Sequence, residues 1–174
     1  ASKSPRRREL LDQIGIRYEP ISVDIDETWQ GEPGRLHVPA LALQKARAAG
    51  ELLGAEADKP ILAADTEVFL DDAPLGKPAD KEQVLAMLKR LSGRTHHVYS
   101  AVALLTHIEA IELSVSRVSF KPLTATECHA YIASGEAFDK AGAYGIQGRA
   151  AMFVSRLEGS YSAVMGLPLF ETAK

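Results

Sequence analysis

Three arginines follow Ser4 and Pro5 in SKSPRRRELL, a single acid, Asp65, interrupts the apolar start of ILAADTEVFL, and lysines stand at 45 and 77 in LQKA and LGKP. Ser before Pro is a helix start, with Ser as N-cap and Pro at the first helical position. Arg6, Arg7 and Arg8 then occupy the first turn, where the partial positive charge of the helix makes each unfavourable by about 0.3–1 kcal/mol. An anion held there would reverse the sign, through charge-assisted hydrogen bonds of about 1.5–3 kcal/mol each. At about 100° per residue, Arg7 projects to the side of Leu10, Leu11 and Ile14, Arg6 lies nearly a quarter turn away, and Arg8 is further round. Arg8 reads as a surface charge, and plain solvation near a chain end is the alternative for all three.

Asp65 is the most informative acid. A carboxylate in an apolar run needs a partner, whether a cation, a metal or a hydrogen-bond donor, and the capping of a nearby loop is the plainer reading. VDIDET offers Asp24, Asp26 and Glu27 as a second carboxylate source or as a solvated loop. Magnesium at phosphates takes one or two carboxylates and keeps several waters, so two acids from separate segments would suffice. Lys77 is held between Gly and Pro on a stiff turn and Lys45 sits in an Ala- and Leu-rich stretch; each reads as a ligand or as a surface lysine. DKAGAYGIQG (139–148) sets three glycines among Asp139, Lys140, Tyr144 and Gln147, which lets backbone approach a ligand but lacks dinucleotide or P-loop spacing. The histidines show no zinc spacing, and Cys128 beside His129 on a helix cannot form a facing nucleophile pair. Trp29 reads equally as packing or base stacking.

The elements that must position these residues are those of an α/β domain. Helices are expected over 5–14, from Pro39 to about Leu53, from Asp80 with Gln83 as capping-box partner to about Gly93, and from Thr124 with Glu127 to about Gly135. Strands are expected at 61–70, at 97–105 and 112–120 joined by a hairpin around His107 to Ala110, and more weakly at 18–25 and 151–157. Helices interleaved with strands and one hairpin point to a mixed sheet. With 174 residues and a net charge of −3, one soluble domain over 1–174 is expected. Such a charge argues against coating a nucleic acid polymer, and no apolar run reaches the roughly 18 residues of a membrane span. A lone cysteine and the lack of a leader point to the cytoplasm, and both ends read as trimmed.

In order and spacing, SKSPRRRELL, VDIDET, LQKA, ADTEVFLDD, LGKPAD, MLKRLSGRTHHV, GEAFDKAGAYGIQG and GSYSAVMGLPL resemble the Maf family of nucleotide pyrophosphatases over essentially the whole chain. The resemblance implies a mixed, elongated sheet flanked by helices around a central cleft, related to inosine triphosphate pyrophosphatases, and a homodimer. It implies hydrolysis of a nucleoside triphosphate between the α and β phosphates. Carried over by position, Ser2, Arg7, Lys45 and Lys77 bind phosphates, Asp65 and Lys77 are catalytic with Asp65 as proton acceptor, and Glu27 joins Asp65 around a divalent metal, magnesium first with manganese or cobalt as alternatives.

Arg after Ser-Pro, Asp-Thr in the central strand and Gly-Ile-Gln-Gly in the late loop are similar to the dTTP/UTP branch, making Arg6, Thr66 and Gln147 the specificity residues. The branch acting on 7-methyl-GTP has Trp, Gln and Glu there. An amide both donates and accepts, as a uracil or thymine edge requires, whereas a carboxylate suits a methylguanine edge. The 7-methyl-GTP specificity is one alternative, and a nucleotide-binding regulator of cell division and septum formation is another. Ala40-Leu41-Ala42 and Arg149-Ala150 depart from the family's usual Arg-Leu-Ala and Leu-Gly steps.

Overall fold

The computed structural model describes residues 2–54 and 59–174. Among these, the helices are α1 (Pro5–Gln13), α2 (Gly34–Leu53), α3 (Lys81–Leu91), α4 (Ala125–Ala133), α5 (Tyr161–Met165) and α6 (Leu169–Thr172). The strands are β1 (Ile61–Leu70), β2 (Ala73–Pro74), β3 (Thr95–Leu105), β4 (Glu109–Phe120) and β5 (Val154–Glu158), in sheet order β2-β1-β3-β4-β5. The α/β character is as expected, but every described strand pair is antiparallel, where a mixed sheet was expected. Only β3 and β4 are joined by a tight turn; β1 reaches β3 by way of α3, and β4 reaches β5 by way of α4 and the loop after it, each connection bringing the chain back in the opposite direction.

Alternation along β1 divides the core. Ile61, Ala63 and Phe69 pack with Ala101 and Ala103 of β3 against Val38, Ala42, Ala46 and Ala49 of α2. The small residues let the 20-residue helix lie close to the sheet. Val68 and Leu70 turn to the opposite face, where α3 and α4 contribute Val84, Leu88, Leu91, Tyr131 and Ile132. Leu10 of α1 meets Ala64, Val102 and Leu167 in a smaller cluster.

Local signals account for most boundaries. The Asp80 side chain accepts from the Gln83 N–H, although the Gln83 amide oxygen reaches back to the Ala79 N–H instead of closing the box. Thr124 and Glu127 make the full reciprocal box. Helix α2 starts at Gly34, five residues before Pro39: the Pro33 carbonyl takes the Leu36 and His37 N–H groups, and Pro39 is accommodated inside the helix. Gly34 is required there, since a Cβ would stand 2.7 Å from the Tyr99 ring. The hairpin turn is Thr106–Ile108, because strand pairing runs on to Leu105 and Glu109. No strand forms at 18–25; Ile21 and Val23 pack on the α2 core as loop residues. At 151–157 the strand begins only at Val154, after a 3-10 turn that buries Phe153.

His96 lies within this core, 1% exposed, sharing a 2.7 Å hydrogen bond with the Tyr144 hydroxyl and set edge-on to Phe120. Burial, aided by His97, lowers its pKa to about 4. Between pH 6.5 and 4 the unfolded chain therefore binds a proton that the folded chain refuses. The stability it contributes is complete above pH 6.5 and is lost as pH falls through this window, by about 3 kcal/mol in total. Urea unfolding of the wild type and of His96→Gln should show this as a difference in pH slope confined to that window; parallel slopes would exclude it.

Candidate active site

A cleft of about 470 Å³ opens beside the middle of β1. Four consecutive residues of that strand, Asp65 to Val68, line it, so it is reached from the strand edge as well as from both faces. This is geometrically possible because β2 pairs only with Phe69 and Leu70. Asp65 points to the α2 side and Thr66 to the α1 side. The structure thus brings residues from opposite faces of one strand to a single cavity.

On the α2 side, Lys45 Nζ donates to Asp65 Oδ1 at 2.6 Å and pairs with Glu27 Oε1 at 2.6 Å. The Asp65 side chain is 5% exposed, that of Lys45 13%, and that of Glu27 45%. Burial alone would depress the lysine, but the charges and hydrogen bonds of Asp65 and Glu27 outweigh it and its pKa is raised. Asp65 Oδ2 is buried without a hydrogen-bond partner.

On the α1 side, Arg7 is fixed at three points: Nε donates to the Gly166 carbonyl at 2.7 Å, Nη1 to Ser2 Oγ at 3.1 Å and Nη2 to Thr66 Oγ1 at 3.4 Å. Burial lowers its pKa, with Asp65 opposing. Ser2 is itself held, its N–H donating to the Ile21 carbonyl and its Oγ accepting from the Ser4 N–H. Ser4 stands at the N-cap, but its side chain makes no capping bond. Arg8 faces solvent, as the helical projection expected.

The late loop closes the far wall. Arg6 Nη1 meets Asp139 Oδ2 at 2.9 Å, and Lys140 Nζ meets Asp139 Oδ1 at 2.6 Å. The turn bearing Lys77 is tied to this loop by the Gly142 N–H donating to the Gly76 carbonyl at 2.8 Å. Lys77 and Gln147 both line the cleft with exposed side chains, and neither is hydrogen-bonded among the described residues. Despite its unusual Arg149-Ala150 step the loop is closed: the Arg149 N–H donates to Glu136 Oε2 and Ala150 is fully buried.

All nine residues singled out from the sequence, Ser2, Arg6, Arg7, Glu27, Lys45, Asp65, Thr66, Lys77 and Gln147, therefore face one cavity. Asp26 bonds locally to Thr28, Asp24 pairs with Lys3, and the Trp29 indole donates to the Glu32 carbonyl while packing edge-on to Phe69. The residue that went unnoticed is Glu67. It lines the cleft, its Oε2 is buried and partnerless, and desolvation, reinforced by Asp65 and Glu27, raises its pKa to about 7. Its signal was available as two-residue spacing from Asp65, which puts both on one face of a strand.

The donor set suits a hard cation. Among the described residues no three His, Cys, Asp or Glu side chains converge as a ready-made metal cage. A magnesium ion shared with phosphates needs only one or two carboxylates, and the bare Asp65 Oδ2 is such a donor.

The family model described as Maf-like protein matches residues 1–174. A dTTP/UTP pyrophosphatase of Alkalilimnicola ehrlichii is 51% identical over 178 residues, covering 100% of this chain and 88% of that protein. Proteins of the same name from Cupriavidus pinatubonensis, 50% identical over 183 residues (99% and 92% covered), and Methylococcus capsulatus, 52% over 178 residues (100% and 86%), are similar in extent.

The raised Glu67 pKa has a measurable consequence. The folded state retains a proton between pH 4.5 and 7 that the unfolded state has released, so stability is lost as pH rises through that window, by about 3 kcal/mol. Glu67→Gln removes the charge, and its thermal stability relative to wild type should rise from pH 4.5 to pH 8. A pH-independent difference would contradict the burial argument.

Proposed function

Since the chain belongs to the Maf-like protein family, we propose that it hydrolyses dTTP and UTP to the nucleoside monophosphate and pyrophosphate. The observation that carries this reading is Asp65: one oxygen is locked to Lys45, the other is bare, and cations approach the same cavity from α1, α2 and the turn after β2. Phosphoryl transfer is catalysed chiefly by positioning and by neutralising charge, which is what such a ring of cations supplies.

Asp65 Oδ2 accepts the proton of the attacking water, while Lys45 orients the carboxylate through its bond to Oδ1. Arg7, immobilised at three points, presents a fixed guanidinium to the phosphates beside Ser2. Lys77, held only by its stiff turn, reaches the departing pyrophosphate and completes the phosphate set. Arg6, Thr66 and Gln147 select the pyrimidine, with the unengaged Gln147 amide free to donate to and accept from the base edge. A divalent metal held by Asp65 and Glu27, magnesium with manganese or cobalt as alternatives, would neutralise phosphate charge.

This reading takes residues 1–174 as one domain, acting as a cytoplasmic homodimer on free nucleotides without a nucleic acid polymer. Among the described residues no helix is long and apolar enough to cross a membrane. The names of the relatives do not favour 7-methyl-GTP. A non-catalytic septum regulator would have no use for a bare, buried carboxylate oxygen, whose desolvation is costly.

Pyrophosphate release with magnesium, measured across dTTP, UTP and 7-methyl-GTP, should be fastest for the two pyrimidines. Asp65→Asn should lower kcat at least about a hundredfold while the protein stays folded; a near-normal rate would remove Asp65 from catalysis. Replacing Thr66→Gln together with Gln147→Glu should reduce kcat/KM for dTTP and UTP more than it weakens inhibition by pyrophosphate. An unchanged substrate ranking would sink the specificity assignment.

A further inference from the structure

Glu67 has no part in the mechanism above. Yet it leaves β1 on the same face as Asp65, toward α2, and lines the same cleft. Asp65 Oδ2 and Glu67 Oε2 are both shut off from solvent and both lack a hydrogen-bond donor. They interrupt a row otherwise composed of Ile61, Ala63 and Phe69, where a well-packed apolar side chain would be the ordinary choice.

The remaining carboxylate of the cluster differs from these two. Glu27 is 45% exposed and its Oε1 is already taken by Lys45 at 2.6 Å, the same ammonium that occupies Asp65 Oδ1. Lys45 therefore compensates Glu27 and one side of Asp65, leaving the other side of Asp65 and Glu67 uncompensated by any hydrogen bond. Two such oxygens, on side chains two residues apart on one strand face and lining one cleft, match a hard divalent cation, which takes one oxygen from each of two carboxylates and fills the rest of its shell with water.

We propose that Glu67 is a metal-holding residue: with Asp65 it binds a divalent cation in the nucleotide-free protein, while Glu27 stays tied to Lys45. The proposal rests on the metal-dependent reading of the site and deepens it. The cation would precede the nucleotide instead of arriving only on its phosphates, with the strand supplying both ligands of the nucleotide-free state and Glu27 joining Asp65 once nucleotide is bound.

The test is titration of Mn2+ into the nucleotide-free protein, with the free aquo ion followed by electron paramagnetic resonance. Wild type should bind one equivalent. Glu67→Gln and Asp65→Asn should each weaken binding by about tenfold or more, as loss of a coordinating or orienting group does. Glu27→Gln should weaken it less than either of these. The Glu67→Gln deficit should persist at high potassium chloride, where a purely long-range charge effect would shrink. Glu67→Asp keeps a carboxylate and guards against a folding failure of the amide variant: measurably altered affinity supports the proposal, and wild-type affinity overturns it. The proposal is also overturned if wild type binds no Mn2+ without nucleotide, or if Glu27→Gln releases the ion and Glu67→Gln does not. In either case Mn2+-dependent pyrophosphate release would leave the proposed activity standing. Tight Mn2+ binding through Glu67 with no hydrolysis of any nucleotide would instead overturn the activity and keep the site.

Discussion

A carboxylate on a strand that is covered on both faces survives only if something compensates its charge, and the arrangement around Asp65 follows from that requirement. The compensating ammonium comes from Lys45, 20 residues earlier on α2, and its 2.6 Å contact demands that the helix run close against β1. Ala42, Ala46 and Ala49 make that approach possible on the helix side, with Ala63, Ala101 and Ala103 on the sheet side. Larger residues would lift α2 and strand the carboxylate. Removing one partner of a buried pair typically costs about 3–5 kcal/mol, whereas an exposed pair contributes about 0–1 kcal/mol. Of the ion pairs around the cleft, Lys45 with Asp65 is thus the one on which the others depend.

The rest of the site is assembled from parts that are tied to one another as well as to the sheet. Arg7 joins α1 to the Gly166 carbonyl at the end of α5 and to Thr66 on β1. Arg6 joins α1 to Asp139 in the late loop, and the Gly142 to Gly76 bond joins that loop to the turn carrying Lys77. Separate segments thereby present cations to one cavity with little freedom in Arg7 and considerable freedom in Lys77. That contrast suits a polyphosphate, which needs a rigid anchor at one position and an adaptable charge where the leaving group departs.

Where a local rule decides an element, the sequence was legible. Asp80, Thr124 and Glu127 cap the helices they were expected to cap, and the apolar run at 61–70 is the central strand. Misreadings fall where distant contacts decide. Pro39 looked like a helix start, but Gly34 can pack against Tyr99 and so lets α2 begin earlier. The alternating apolar residues of 18–25 found a packing place on α2 without a strand partner. Glu67 shares a strand face with Asp65 by its two-residue spacing, but only its burial distinguishes it from an ordinary strand acid.

Candidate residues could be named from the sequence alone, since cations, an acid in an apolar run and a glycine-rich loop carry their chemistry and their order wherever the chain goes. The helix projection also separated Arg7 from Arg8 before any tertiary contact was known. Only the tertiary structure decided that Asp65 and Thr66, on opposite faces of β1, open into one cleft, that Lys45 holds Glu27 as well as Asp65, and that Glu67 keeps a bare oxygen beside them. The physical reason is that desolvation and ion pairing are properties of an environment built from residues far apart in the chain. Periodicity says which way a side chain points, and packing alone says whether water or a partner is there to meet it.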